Sequence, residues 1–135
     1  MIKLTLVRGL PGSGKSTYAK TIPALHFEAD MLFEDADGNY KYDRNLIGAG
    51  HDWCYRKVLT SLHQDFDVVV SNTFCAKWEM ERYLNIPVIM PNVELEIVEM
   101  RTQYGSIHGV PDEAIAKMKK RWYNISNEYN VRVIE

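Results

Sequence analysis

Thiols are scarce in this 135-residue chain: Cys54 and Cys75 are its two cysteines, far apart and outside any C-x-x-C spacing. That excludes a metal knuckle or a disulfide framework and points to a reducing, cytoplasmic compartment. Long apolar runs are also missing. No stretch approaches the roughly 18 residues of a membrane-spanning helix, and the opening MIKLTLV is too short for a signal peptide. The chain is therefore expected to be neither exported nor membrane-spanning. Excess charge is absent as well, since 16 Lys and Arg face 18 Asp and Glu for a net charge of −2. With no global basic field, any grip on nucleic acid must come from a local patch. There is no repeat, linker or low-complexity tract, and residues 1–135 read as a single domain.

What is present is an alternation of short apolar runs with helical stripes. Residues 2–8 (IKLTLVR) suit a strand buried on both faces. A glycine-rich loop follows at 9–14, then a helix from about Lys15 to Thr21 that Pro23 stops. Residues 24–29 (ALHFEA) alternate as a second strand, with Leu25, Phe27 and Ala29 on one side, His26, Glu28 and Asp30 on the other, and Asp30 at its carboxyl end. Residues 34–42 read as a loop or small hairpin around Asp37-Gly38. Asp43 is a candidate N-cap for a helix over 43–63. A third strand is predicted at 67–71 (DVVVS), a helix near 76–84, a strand near 93–98, a helix opened by Pro111 with a stripe of Ile115, Met118, Trp122 and Ile125, and a last short strand at 131–134. Strands alternating with helices predict an α/β three-layer sandwich around a central parallel sheet.

The loop carries the chemistry. Gly9, Gly14, Lys15 and Ser16 satisfy G-x-x-x-x-G-K-[ST] between a buried strand and a helix, the P-loop context. Glycines such as Gly9, Gly12 and Gly14 let backbone N–H groups turn inward around phosphate oxygens, and the helix N-terminus adds positive potential. Pro11 stiffens the loop, and Ser13 and Thr17 complete the nucleotide-contacting set. Lys15 is of a length to reach the β- and γ-phosphates, and the Ser16 hydroxyl suits Mg²⁺. ATP with Mg²⁺ is the expected ligand.

P-loop proteins usually end a neighbouring strand in a magnesium-orienting acid. Here the strand reads VVVSN, with Asp67 at its wrong end. The residues due at the functional edge are Asp30, Ser71, Asn72 and Thr73, of which Asp30 is the only carboxylate. Asp30 suits a general base or a water-mediated metal ligand, and equally a turn or N-cap residue. Arg101, ahead of the glycine-bounded QYGSIHG, is placed to act as a lid arginine, with Lys117, Lys120 and Arg121 as alternatives. Residues 117–121 (KMKKR) form the one dense basic cluster, more a solvated face than a site. His51 and His108 read as hydrogen-bonded structural residues, although a histidine also suits proton transfer.

In this order, GLPGSGKST, EAD, GAGHDWC, VVVSNTF-x-x-x-WEM and SIHGVPDEAIAKM-x-x-RW resemble the polynucleotide-kinase-like P-loop family over Met1 to about Trp122. That family includes phage polynucleotide 5′-kinases, the kinase-like domains of some animal ubiquitin-ligase-binding proteins and related AAA-type ATP-binding proteins. The resemblance implies that Lys15 and Ser16 hold phosphates and Mg²⁺, Asp30 is the base, Asn72 and Thr73 line the acceptor side and Arg101 belongs to a lid. Phe33 stands where the phage enzymes carry an arginine for the acceptor's 3′-phosphate, and Gly105 stands near their second lid arginine. Phe33 would instead offer a stacking surface to a nucleic-acid end. The implied activity is γ-phosphoryl transfer to a hydroxyl acceptor, a polynucleotide 5′-hydroxyl first. A small-molecule acceptor, or an ATP-binding switch without transfer, are the competing readings.

Overall fold

The computed structural model describes residues 1–33, 47–102 and 110–135. Apolar β-branched and aliphatic residues build five strands: β1 (Ile2–Gly9), β2 (Leu25–Phe27), β3 (Val68–Asn72), β4 (Val93–Met100) and β5 (Val131–Ile134). All pair in parallel, in the order β2-β3-β1-β4-β5. The helices are α1 (Lys15–Ala19), α2 (Ile47–His63), α3 (Lys77–Leu84), α4 (Ile86–Ile89) and α5 (Asp112–Arg121), with 3-10 turns at Ala29–Phe33 and Ile125–Asn127. The expected α/β sandwich with a central parallel sheet is the fold observed. None of these helices is long and apolar enough to cross a membrane.

Strand alternation assigns each side chain to a face. Leu4, Leu6, Val68, Val70 and Ile97 join Cys54, Val58 and Leu62 of α2 and Met80, Tyr83 and Ile86 of α3 and α4 in the larger core. Edge-to-face rings extend it: Phe27 on Trp53, and Tyr83 between Tyr55 and Phe74 at 5.4 and 5.6 Å. Each such pair contributes about 0.5–1.5 kcal/mol beyond burial. On the opposite face, Val7, Val69, Val98 and Met100 meet Ala19 and Tyr18 of α1. Toward its amino end that face turns polar, with Lys3 paired to Glu96.

Several boundaries differ from the sequence reading. The first helix stops at Ala19, before Pro23, because Thr21 and Ile22 already bond back to Tyr18 and Ala19 in turn geometry. β2 ends at Phe27, so Asp30 lies in the 3-10 turn after it. β3 is shifted by one residue and takes in Asn72, while Asp67 accepts the Lys3 N–H at 2.9 Å outside the strand. β4 runs to Met100. α5 ends at Arg121, with Asp112 and Glu113 in its first turn and Lys119 to Arg121 in its last, as the helix dipole favours. Trp122 and Ile125 leave the predicted stripe, and Ile125 enters the larger core. The predicted Asp43 cap, the 34–42 loop, Gly105 and His108 lie outside the described residues.

One buried charge organises the carboxyl end of the sheet. Arg8 is fully buried, with Nε and Nη2 donating to the Phe74 carbonyl at 3.1 and 2.6 Å, Nη2 to Cys75 O at 3.3 Å and Nη1 to Tyr123 O at 2.8 Å. Its guanidinium stacks on Trp122 at 3.8 Å, and Glu99 lies 3.6 Å away. Burial lowers the Arg8 pKa to about 10 against the opposing pull of Glu99, and the side chain stays cationic at neutral pH. Truncating it strands three carbonyls and leaves the buried Glu99 carboxylate with Arg101 as its remaining cation. We predict that Arg8→Met destabilises the fold by about 3 kcal/mol or more, read as a lowered urea midpoint; an unchanged midpoint would refute this assignment.

Candidate phosphate-binding site

The P-loop runs from the end of β1 to the start of α1. Gly9 is required sterically, because a Cβ there would lie 2.2 Å from Ser13 Oγ and 3.1 Å from Met100 Cβ. Gly12 and Gly14 both adopt φ of 82°, the left-handed region that glycine enters without penalty, and Gly14 precedes the first turn of α1. Tyr18 N–H closes that turn on Gly14 O at 2.9 Å, and Gly9 N–H is tied to Thr73 O at 3.3 Å. Pro11, Gly12, Lys15 and Ser16 are half-buried along the loop, and Thr17 is exposed.

The interior of the loop suits an anion. Ser13 Oγ is buried without a hydrogen-bond partner among the described residues. Burial lowers the Lys15 pKa, and Glu28 and Asp30 act against that shift by favouring its charge. An orphaned hydroxyl, a partly desolvated lysine and a helix start converge where a triphosphate would sit. Beside it stand two oxygen ligands of the kind that Mg²⁺ takes, the Ser16 hydroxyl against a carboxylate oxygen.

That carboxylate is Glu28, which sequence reasoning missed as a site residue. Its Oε1 accepts hydrogen bonds from Ser16 Oγ and from Ser71 Oγ, the latter at 2.6 Å, and lies 3.2 Å from His26 Nε2. His26 and Ser71 are themselves 2.6 Å apart. Burial would raise the Glu28 pKa, yet the hydrogen bonds from His26, Ser16 and Ser71 together hold it down at about 2. The alternation of ALHFEA already placed His26 and Glu28 on one side; the register Phe27↔Val70 puts the next residue, Glu28, beside Ser71.

The predicted residues are not all brought together. Lys15, Ser16 and Asp30 are brought together at one edge of the sheet, with Asp30 close enough for its charge to act on Lys15. Asn72 is buried, its Oδ1 accepting from Ala29 N–H at 2.9 Å and its amide nitrogen facing Cys54 Sγ at 3.9 Å. It anchors the turn that carries Asp30, which Phe33 closes, and Thr73 follows it at the strand end. Arg101 stands apart: its Nε donates to Glu99 at 2.6 Å and its guanidinium lies 3.7 Å from Glu135, toward β5. Lys117, Lys120 and Arg121 are exposed on α5.

Comparison with known proteins places this geometry. A profile described as an AAA domain matches residues 4–125. The chain belongs to this AAA domain family. Human NEDD4-binding protein 2 is 27% identical to this AAA domain over 132 residues, a match covering 88% of the chain and 8% of the human protein. The chain thus spans a small fraction of that relative's length. Among solved structures, a gluconokinase from Sinorhizobium meliloti 1021 superposes with a TM-score of 0.63 at 14% identity, over 98% of this chain and 81% of its own. A chain of the Pnkp1/Rnl/Hen1 RNA repair complex superposes with a TM-score of 0.58 at 17% identity, over 89% of this chain and 37% of its own. The fold of this AAA domain is that of P-loop kinases.

Two predictions follow from the loop and its carboxylate. Gly9→Ala forces Ser13 and the loop apart and should weaken ATP binding by about tenfold or more, equivalent to 1.4 kcal/mol, as read by calorimetric titration; wild-type affinity would contradict the steric requirement. Glu28 contributes stability above its unfolded pKa of about 4.5, and this is lost as pH falls toward its folded value of about 2. The stability difference between wild type and Glu28→Gln should therefore shrink between pH 4.5 and pH 2 in denaturant titrations. A difference that stays constant through that window would show that the carboxylate charge is not what the three donors stabilise.

Proposed function

We propose that this AAA domain is an ATP-dependent phosphotransferase that delivers the γ-phosphoryl group to a hydroxyl, with a polynucleotide 5′-hydroxyl as the acceptor class. The observation that carries the reading is that the turn after β2 sets Asp30 at the P-loop end of the sheet, where its charge and that of Glu28 act on Lys15. A bare nucleotide-binding module needs no second carboxylate at that place. The resemblance of the NTF-x-x-x-WEM and HGVP segments to polynucleotide kinases supports the acceptor class, as does the likeness to a chain of an RNA repair complex.

In this reading the loop N–H groups and Lys15 hold the β- and γ-phosphates, so positioning and charge neutralisation supply most of the rate. Mg²⁺, when bound, supplies further neutralisation of the phosphate oxygens, and Ser16 and Glu28 are the residues that would hold it. Asp30 takes the proton of the acceptor hydroxyl as its oxygen bonds to the γ-phosphorus, and the bond to the β-phosphate oxygen breaks to release ADP. Asn72 keeps Asp30 in register through Ala29 N–H. Arg101 leads into residues 103–109 and serves as the lid cation, exchanging the exposed Glu135 for phosphate. A small polyol is the second acceptor reading, favoured by superposition over most of both chains with a gluconokinase.

The deciding experiment incubates the protein with γ-labelled ATP and separate panels of 5′-hydroxyl DNA, RNA and polyols. Asp30→Asn should lower transfer by roughly 10²-fold or more while ATP affinity stays near wild type, and Lys15→Ala should lose both. Undiminished transfer in Asp30→Asn would remove the proposed base, and label confined to polyols would move the acceptor to the second reading.

A further inference from the structure

We propose that Glu28 is the metal-orienting carboxylate of this domain, arriving from the end of β2 into the place that a β3 strand-end acid fills in other P-loop proteins. The inference rests on reading the loop as a Mg²⁺–nucleoside triphosphate site. β3 ends in Val70, Ser71 and Asn72, so it offers a hydroxyl where an acid is usual. The Ser71 hydroxyl donates to Glu28 at 2.6 Å. Parallel pairing of β2 with β3 ends at Phe27↔Val70, which sets Glu28 alongside Ser71 and lets its longer side chain span to α1. There its oxygen meets the hydroxyl of Ser16, the P-loop residue suited to the metal.

The arrangement is a relocation: one carboxylate and one hydroxyl share the neighbouring ends of β2 and β3, with the carboxylate on the edge strand. His26, 3.2 Å from the carboxylate and 2.6 Å from Ser71, helps to fix its orientation. The charges of Glu28 and Asp30 both act on Lys15. Glu28 thus faces the phosphate loop, while Asp30, two residues on in the turn held by Asn72, is left to the acceptor. The two carboxylates divide the metal role from the base role.

The test is linkage between metal and nucleotide, measured without turnover. ATP is titrated calorimetrically in MgCl₂ and in EDTA into wild type, Glu28→Gln and the exchanged double variant Glu28→Ser with Ser71→Asp. Mn²⁺ bound beside ATP is followed in parallel by its electron paramagnetic resonance spectrum. Glu28→Gln keeps an acceptor for Ser16 and Ser71, so the network remains bonded while the charge is lost. It should lose about tenfold or more of the Mg²⁺-dependent gain in ATP affinity, with affinity in EDTA little changed. The exchanged variant should recover the gain and the Mn²⁺ spectrum, and it decides alone should the single variant fail to fold. Wild-type linkage in Glu28→Gln, or an exchanged variant with no recovery, would overturn the proposal. Wild-type protein that binds no ATP in either buffer would instead overturn the nucleotide reading beneath it.

Discussion

A single buried guanidinium holds the functional edge of this molecule in shape. Arg8 is the last side chain before the P-loop, and it donates to carbonyls of Phe74, Cys75 and Tyr123. Those carbonyls belong to the turn after β3 and to the chain beyond α5, so one side chain joins three segments distant in sequence. The turn needs such a clasp. Phe74 has a positive φ of 49°, a conformation that costs a non-glycine residue about 1–3 kcal/mol and persists only where its surroundings over-determine it. Two hydrogen bonds to its carbonyl, and a ring buried against Tyr83, supply that constraint. Thr73, one residue earlier, accepts the N–H of Gly9, so the strained turn sets where the P-loop begins.

The clasp also explains why the sheet can end in so much polarity. Asn72, Arg8 and Glu99 are register neighbours across β3, β1 and β4 and point to the same face. A bare ion pair there would lose more in desolvation than it gains, but each member has hydrogen bonds that share the burden. Arg8 has three backbone acceptors and the Trp122 ring, Asn72 has Ala29 and Cys54, and Glu99 has Arg101. The opposite face at the same level carries Ser71, His26 and Glu28 against α1. One polar row fastens the scaffold, and the other meets the phosphates.

Legibility in the sequence followed the range of the interactions. The P-loop motif was readable because its chemistry is local: the positive-φ glycines, the strand before them and the helix after them all lie on the one stretch from Ile2 to Ala19. The parallel sheet was readable because buried strands look alike wherever they occur. Glu28 was passed over because the acid was sought at the end of VVVSN, whereas the carboxylate comes from a strand whose register with β3 no single stretch encodes. Arg8 drew no role of its own within IKLTLVR, since a lone arginine seldom lies in a core and nothing local marks it as a clasp. A signal was available: IKLTLVR and VELEIVEM each place a charged residue after the apolar run, and parallel pairing brings Arg8 opposite Glu99. The bond from Ala29 N–H to Asn72 was not legible because a polar residue at a strand end has no assigned face until its register is known.

Alternation at the end of β3 gives the site its division of labour. Ser71 and Asn72 are consecutive, so the pleat sends them to opposite faces. Ser71 reaches the carboxylate beside the P-loop, and Asn72 reaches the N–H of Ala29 at the head of the Asp30 turn. A shift of one residue in the β2–β3 register would turn β2 over while β1 holds β3 in place, sending Glu28 to the face of Asn72 and away from Ser71 and the P-loop. Both carboxylates would then lose their anchors together. The pairing Leu25↔Val68 through Phe27↔Val70, held by Phe27 and Trp53 in the larger core, is therefore as much a part of the site as the glycines that announce it.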